Sequence, residues 1–308
     1  MKRLILNAAL PALLLASATE AVAAVRVVTS TEDLASIVRA IGGDKVTVEA
    51  IASGRQDPHF VEPKPSFILR LSRADLLVFV GRELEAAWLP ALVTQSRNSR
   101  IQPGNNGYLD ASQNVKILDL PTGTVTRAMG DVHPQGNPHY WLDPANGRRI
   151  AQTIQAKLAQ LSPGDSGYFA QRYAEFDQKL AEAENRWKSA MAPYKGLKIV
   201  TYHRSWSNFA DAFGLDVIGY VEPKPSIPPS PAHTLALIQE MKRQNVKIIL
   251  VEPYFDLKTP QIIARDTGAK VVVMPPSVGG VPEAKDYFTL FDHNVSLLGG
   301  AIRETGAR

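Results

Sequence analysis

The 308-residue sequence contains no cysteine. That excludes disulfides, thiolate metal sites, a cysteine nucleophile and a lipid-modified cysteine within these residues. HExxH, G-x-S-x-G and glycine-rich phosphate loops are also missing, so none of the short signatures of zinc peptidases, serine hydrolases or nucleotide enzymes is present. Past the first two dozen residues, no stretch is apolar for long enough to span a bilayer. The formal net charge is only +4, with no dense Lys/Arg patch interleaved with aromatics, so no nucleic-acid partner is expected. Apolar residues make up 45% and charged residues 21%, which fits a folded globular chain and argues against disorder.

What is present begins with a leader pattern. Lys2 and Arg3 precede an apolar stretch, Leu4 to Ala18, and then the small-residue site Ala21-Val22-Ala23. A secretory signal over residues 1–23, cleaved before Ala24, is expected. A membrane anchor is the other reading, but the run is short and broken by Asn7 and Pro11. The remainder is expected to be a soluble monomer outside the cytosol.

Short β-rich runs alternate with amphipathic stretches, twice over. In the first half the strands are expected at Val25–Val28, Val46–Ile51, Leu76–Val80 and Lys116–Leu120, with helices near Leu34–Ile41, Ser66–Ser72 and Glu83–Thr94. In the second half they fall at Leu197–Thr201, Leu215–Gly219, Val246–Val251 and Lys270–Met274. The helices there are expected near Ser205–Phe213, Ala232–Gln244, Thr259–Thr267 and Tyr287–Ile302. Strands alternating with helices imply parallel sheets, so the fold class is α/β with two parallel-sheet lobes. Between them the pattern predicts helices over Ala145–Leu161 and Asp165–Met191. Phe169, Tyr173, Phe176, Leu180, Trp187 and Met191 share one stripe of the second. At 1.5 Å per residue it is roughly 40 Å long, enough to join two lobes, although it also reads as a surface helix of one. The expected division is a first lobe over 24–163, a connecting helix over 164–192 and a second lobe over 193–308.

A six-residue segment occurs twice, as Val61-Glu62-Pro63-Lys64-Pro65-Ser66 and as Val221-Glu222-Pro223-Lys224-Pro225-Ser226. Each copy follows the second strand of its half. It reads as structural punctuation, with prolines stopping the strand and a serine or proline opening the next helix.

Three of the six histidines have suggestive settings. His59 lies in Asp57-Pro58-His59, between a strand and a proline-rich turn. His139 lies in Asn137-Pro138-His139-Tyr140-Trp141-Leu142-Asp143-Pro144, just before a helix, and His203 directly follows a strand. Ligands of open α/β sheets bind beyond the carboxyl ends of the strands, and imidazole is the commonest metal-binding side chain. The separations match no short metal motif, so each of the three also reads as an ordinary hydrogen-bonding loop residue. His133 reads as a solvated loop residue, His233 and His293 as structural or surface residues, and Asp143 as a helix cap.

The Asp57-Pro58-His59 loop, the Asn137–Pro144 element and the Tyr202-His203 pair together resemble the periplasmic zinc- and manganese-binding proteins of ABC importers, the ZnuA/TroA-like solute-binding family. The resemblance covers nearly all of the chain after the leader. It implies a periplasmic location, a metal site in the cleft between two α/β lobes joined by a rigid helix, and delivery of the ion to an ABC transporter membrane permease. It further implies that His59, His139 and His203 are ligands. Where the family usually has a carboxylate after the last strand, this chain reads Pro275-Pro276-Ser277-Val278-Gly279-Gly280. Glu252 is then the candidate fourth ligand, or it orients a ligand while water fills the position. The stretch from Thr122 to Gln135 carries only Asp131 and His133 where many zinc-specific relatives have a histidine-rich loop, so accessory capture is expected to be weak.

Three imidazoles favour zinc over manganese, because nitrogen donors suit later first-row metals. Two other functions use the same residues. A zinc hydrolase holds its metal with three histidines and an open position, with Glu252 as base. A binder of an organic ligand or metal chelate would use Trp88, Trp141 and Trp206 as cleft walls, though such aromatics also read as core.

Overall fold

In this computed structural model the described residues are 24–123 and 133–307. The expected leader and Asp131 lie outside them.

Two four-stranded parallel sheets form the framework. The first contains β1 (Val25–Thr29), β2 (Val46–Ala50), β3 (Leu76–Phe79) and β4 (Tyr108–Asp110) in the order β2-β1-β3-β4. The second contains β5 (Lys198–Thr201), β6 (Asp216–Tyr220), β7 (Ile248–Val251) and β8 (Lys270–Val273) in the order β6-β5-β7-β8. The same order occurs twice. β3 and β7 are buried along their whole length, as parallel strands covered on both faces must be, which explains the unbroken runs Leu76–Phe79 and Ile248–Val251.

Around the first sheet lie α1 (Glu32–Gly42), α2 (Pro65–Arg73), α3 (Leu89–Ser96) and α4 (Pro144–Leu161). Around the second lie α6 (Ser207–Phe213), α7 (Pro231–Arg243), α8 (Lys258–Thr267) and α9 (Tyr287–Thr305). The long helix α5 (Ser166–Met191) packs on α4, α1 and α9, so it touches helices of both halves. Its stripe of Phe169, Phe176, Leu180, Trp187 and Met191 is buried, and each such side chain is worth about 1.5–3 kcal/mol when removed from water. One apolar core runs from β1 through α4 and α5 to α9.

Two sequence expectations fail locally. Lys116–Leu120 is not a strand; the fourth strand of the first sheet is Tyr108–Asp110, paired with β3. The Lys116 amide is instead hydrogen-bonded by the Asn146 side chain (2.8 Å) at the start of α4, and the Asn146 amide donates back to Lys116 O (3.0 Å). The helix expected at Glu83–Thr94 begins only at Leu89, because Gly81, Arg82 and Glu83 all adopt positive φ. The buried Glu85 carboxylate holds that turn by accepting from the Val80 and Gly81 amides at 2.7 and 3.0 Å.

The duplicated hexapeptide folds in two ways. In the first copy Pro65 opens α2. In the second a tight bridge pairs Lys224 with Ile227, Ser226 takes φ +62°, and the next helix starts at Pro231. Pro228 and Pro229 follow the second copy and have no counterpart after the first, which prevents a helix from starting there.

Candidate metal centre

Each of the three histidines is placed by a separate piece of chain. His203 follows β5, and Thr201 Oγ1 donates to its carbonyl at 2.7 Å. It stands at the carboxyl end of the second sheet, where strand order reverses between β5 and β7. His59 and His139 are placed by the same local device. In Asp57-Pro58-His59, the Asp57 carboxylate accepts from the His59 amide (3.0 Å) and contacts ring Nδ1 (2.7 Å). In Asn137-Pro138-His139, Asn137 Oδ1 accepts from the His139 amide (2.8 Å) and contacts ring Nδ1 (3.1 Å). The side chain two residues back thus fixes both backbone and ring, as Asx turns do.

Buried residues fix the loops in turn. Trp88 Nε1 donates to the Pro58 carbonyl (2.9 Å), and the Tyr140 hydroxyl donates to the Val80 carbonyl (2.6 Å). Trp141 Nε1 crosses between the halves to the Pro276 carbonyl (2.9 Å), and Asn137 Nδ2 reaches the Arg204 carbonyl (2.8 Å). All three tryptophans discussed above are core residues, with none more than 2% exposed.

The rings meet. The ring centroids of His59, His139 and His203 are 5.2–5.4 Å apart, and one ligand nitrogen from each lies within 4.8 Å of the other two. All three residues are buried. His203 Nδ1 is hydrogen-bonded to the buried Glu222, so in all three rings Nδ1 is engaged. That leaves Nε2 as the second nitrogen of each ring: His139 Nε2 is buried with no hydrogen-bond partner, while His59 Nε2 contacts His133. An orphaned acceptor facing two further imidazoles, each with an oriented second nitrogen, fits a divalent metal of borderline softness.

The electrostatics differ ring by ring. Burial, reinforced by the neighbouring His59 and His203, holds the His139 pKa well below its ordinary value, so it stays neutral and ready to bind. Burial also opposes charge on His203, but the Glu222 hydrogen bond and charge outweigh it and raise that pKa. For Asp57, burial is outweighed by the hydrogen bond and charge of His59, which keep the carboxylate ionised. A cleft of about 490 Å³ opens beside the cluster, lined in part by His133, His139, His203 and Arg204.

A sequence profile described as zinc-uptake complex component A, periplasmic, matches residues 27–301. The chain belongs to this family. Its members are substrate-binding proteins of metal ABC transporters, which bind metal ions and deliver them to a membrane permease; they are not enzymes, so the hydrolase reading falls away. Among the relatives is the manganese ABC transporter substrate-binding lipoprotein PsaA of Streptococcus pneumoniae. It is 25% identical over 287 residues, covering 91% of this chain and 89% of PsaA. A crystal structure of ZnuA superposes with a TM-score of 0.75 at 26% identity, covering 90% of this chain and 99% of that one. A zinc-bound ZnuA deletion mutant gives 0.74 at 25% identity, covering 90% and 98%.

Two further residues of the sequence reading are Glu252 and His133. Glu252 directly follows β7 and is wholly buried, but none of its oxygens belongs to the donor cluster, and neither has a hydrogen-bond partner. Burial raises its pKa to about 7. It follows the carboxyl end of β7, and its charge helps to raise the His203 pKa. His133 is not simply a solvated loop residue: it is partly buried, and its Nε2 lies 3.1 Å from His59 Nε2. Asp143 caps α4 as expected, accepting from the Ala145 amide at 2.9 Å. His233 hydrogen-bonds the Tyr220 carbonyl through Nε2 (2.9 Å) at the start of α7, away from the cluster.

Glu222 was missed as a functional residue. It is the glutamate of the second hexapeptide copy; its twin Glu62 is exposed. Asp57 and Asn137 carry a sequence signal for the same role, the shared Asx-Pro-His spelling.

Proposed function

We propose that this protein captures a divalent cation, zinc, in the periplasm and delivers it to an ABC permease, with His59, His139 and His203 as ligands. What supports this reading is the convergence of three buried imidazoles, each with Nδ1 engaged by an Asp, Asn or Glu, and with His139 Nε2 unpartnered. Nitrogen donors favour zinc over manganese, and the buried cluster contributes no carboxylate oxygen of its own. The leader pattern of residues 1–23 supports export, the expected lobe boundaries remain 24–163, 164–192 and 193–308, and a monomer suits carriage to a membrane partner. Glu252 in this reading supplies negative charge behind His203.

The test is calorimetry of the metal-free protein with zinc and with manganese, comparing wild type with His59→Ala, His139→Ala and His203→Ala. Each substitution is expected to remove most of the zinc affinity. Wild-type zinc binding in all three variants would refute the assignment.

A further inference from the structure

The His59–His133 contact is left unexplained by a three-histidine site. His59 Nδ1 is committed to Asp57, so its Nε2 presents a lone pair. His133 Nε2 sits 3.1 Å away, with the two rings stacked at 5.2 Å and 28°. Two bare lone pairs at that distance repel. The pair is stable only if a proton or a cation lies between the nitrogens.

The spacing is that of an N–H···N hydrogen bond, and it is also compatible with a shared ion. Zinc–imidazole bonds are about 2.0–2.1 Å, so two nitrogens on one tetrahedral zinc ion are separated by about 3.3–3.4 Å, the edge of the tetrahedron. The observed separation is within a few tenths of an ångström of that edge. The His133 ring also lines the same cleft as His139 and His203. Meanwhile the loop after β8, Pro275–Gly280, offers no carboxylate, and Glu252 stays outside the cluster.

We propose that His133 supplies the fourth nitrogen to the ion, making a four-imidazole site with no carboxylate. The inference rests on the reading that His59, His139 and His203 bind the metal. Without the ion, the His133 Nε2–H donates to His59 Nε2. With it, His133 carries its proton on Nδ1 and both Nε2 lone pairs point at the metal, with no net change in protons on that ring. The donor atom of His133 lies beyond the mutual 4.8 Å set of the other three, so the ring closes on the ion by a small displacement. A site of four neutral nitrogens discriminates against manganese more strongly than one with three nitrogens and a carboxylate or water.

The experiment uses the full chain loaded with cobalt(II) as a visible probe, and zinc affinity by chelator competition, for wild type, His133→Ala and His133→Gln. Both variants are expected to lose about tenfold or more in zinc affinity, at least as much as losing an outer hydrogen-bond partner costs. The cobalt absorption band should shift and change intensity as an oxygen ligand replaces imidazole, while manganese affinity changes less than zinc affinity. Melting of the metal-free variants within a few degrees of wild type rules out misfolding as the cause. Zinc affinity within twofold of wild type with an unchanged cobalt spectrum would overturn the role of His133 and leave the three-histidine reading standing. A wild type that binds neither ion overturns both.

Discussion

Removing Glu222 tests whether the orientation of His203 matters to binding. Glu222 is 4% exposed and its carboxylate is hydrogen-bonded to His203 Nδ1, so bulk water has little access to replace it. Losing such an outer partner typically weakens a metal site 10–100-fold, or about 1.4–2.8 kcal/mol. Glu222→Ala belongs near the upper figure, since it removes both charge and acceptor. Glu222→Gln keeps an acceptor and belongs near the lower one. The pH dependence adds a second signature. Glu222 raises the His203 pKa against the opposing effect of burial, so without it burial dominates and the proton competes less with the metal. The ratio of wild-type to variant affinity should therefore be largest on the alkaline side and narrow as pH falls through the histidine range. Zinc titrations between pH 6 and pH 8 read both effects. Glu62→Ala, made in the identical hexapeptide but at an exposed position, is the control. Equal losses in the two glutamate variants, or an unchanged Glu222→Ala, would refute the argument.

Two further outcomes follow from contacts between the halves. Asp33 on α1 accepts from the Val278 amide (2.9 Å), and burial raises its pKa to about 7 from 3.8. Its protonated form is favoured by folding, so its contribution is fully present below about pH 4 and is lost as pH rises toward 7. Melting of the metal-free Asp33→Asn protein should gain on wild type progressively from pH 4 to pH 8; a pH-independent difference would count against this. At Gly54, an added Cβ would lie 1.9 Å from the Val278 carbonyl oxygen and 2.8 Å from the Gly280 amide. Gly54→Ala should push the loop bearing His59 away from the second lobe, lowering both the melting temperature and zinc affinity by calorimetry, and normal binding in that variant would show the approach to be dispensable.

The framework was legible because parallel strands covered on both faces must be continuously apolar, and Leu76–Phe79 and Ile248–Val251 are. The long helix was legible from its stripe. The edge of the first sheet was not, because a three-residue strand such as Tyr108–Asp110 carries little periodicity, whereas Lys116–Leu120 looks strand-like but its Lys116 amide is bonded to Asn146 of α4 instead. The three histidines stood out by their position at strand and helix ends. Glu222 did not, because its sequence context is identical to that of Glu62 and only the tertiary fold distinguishes them. His133 was obscured for a similar reason: its neighbour His59 lies 74 residues away in the chain.

The Asx-Pro-His turns have one more consequence. His59 and His139 are tethered to the first sheet through Pro58–Trp88 and Tyr140–Val80, whereas His203 grows from the second. A cation held by these three rings would take two donors from the first half and one from the second, so any movement of one half against the other would shift His203 relative to the other pair.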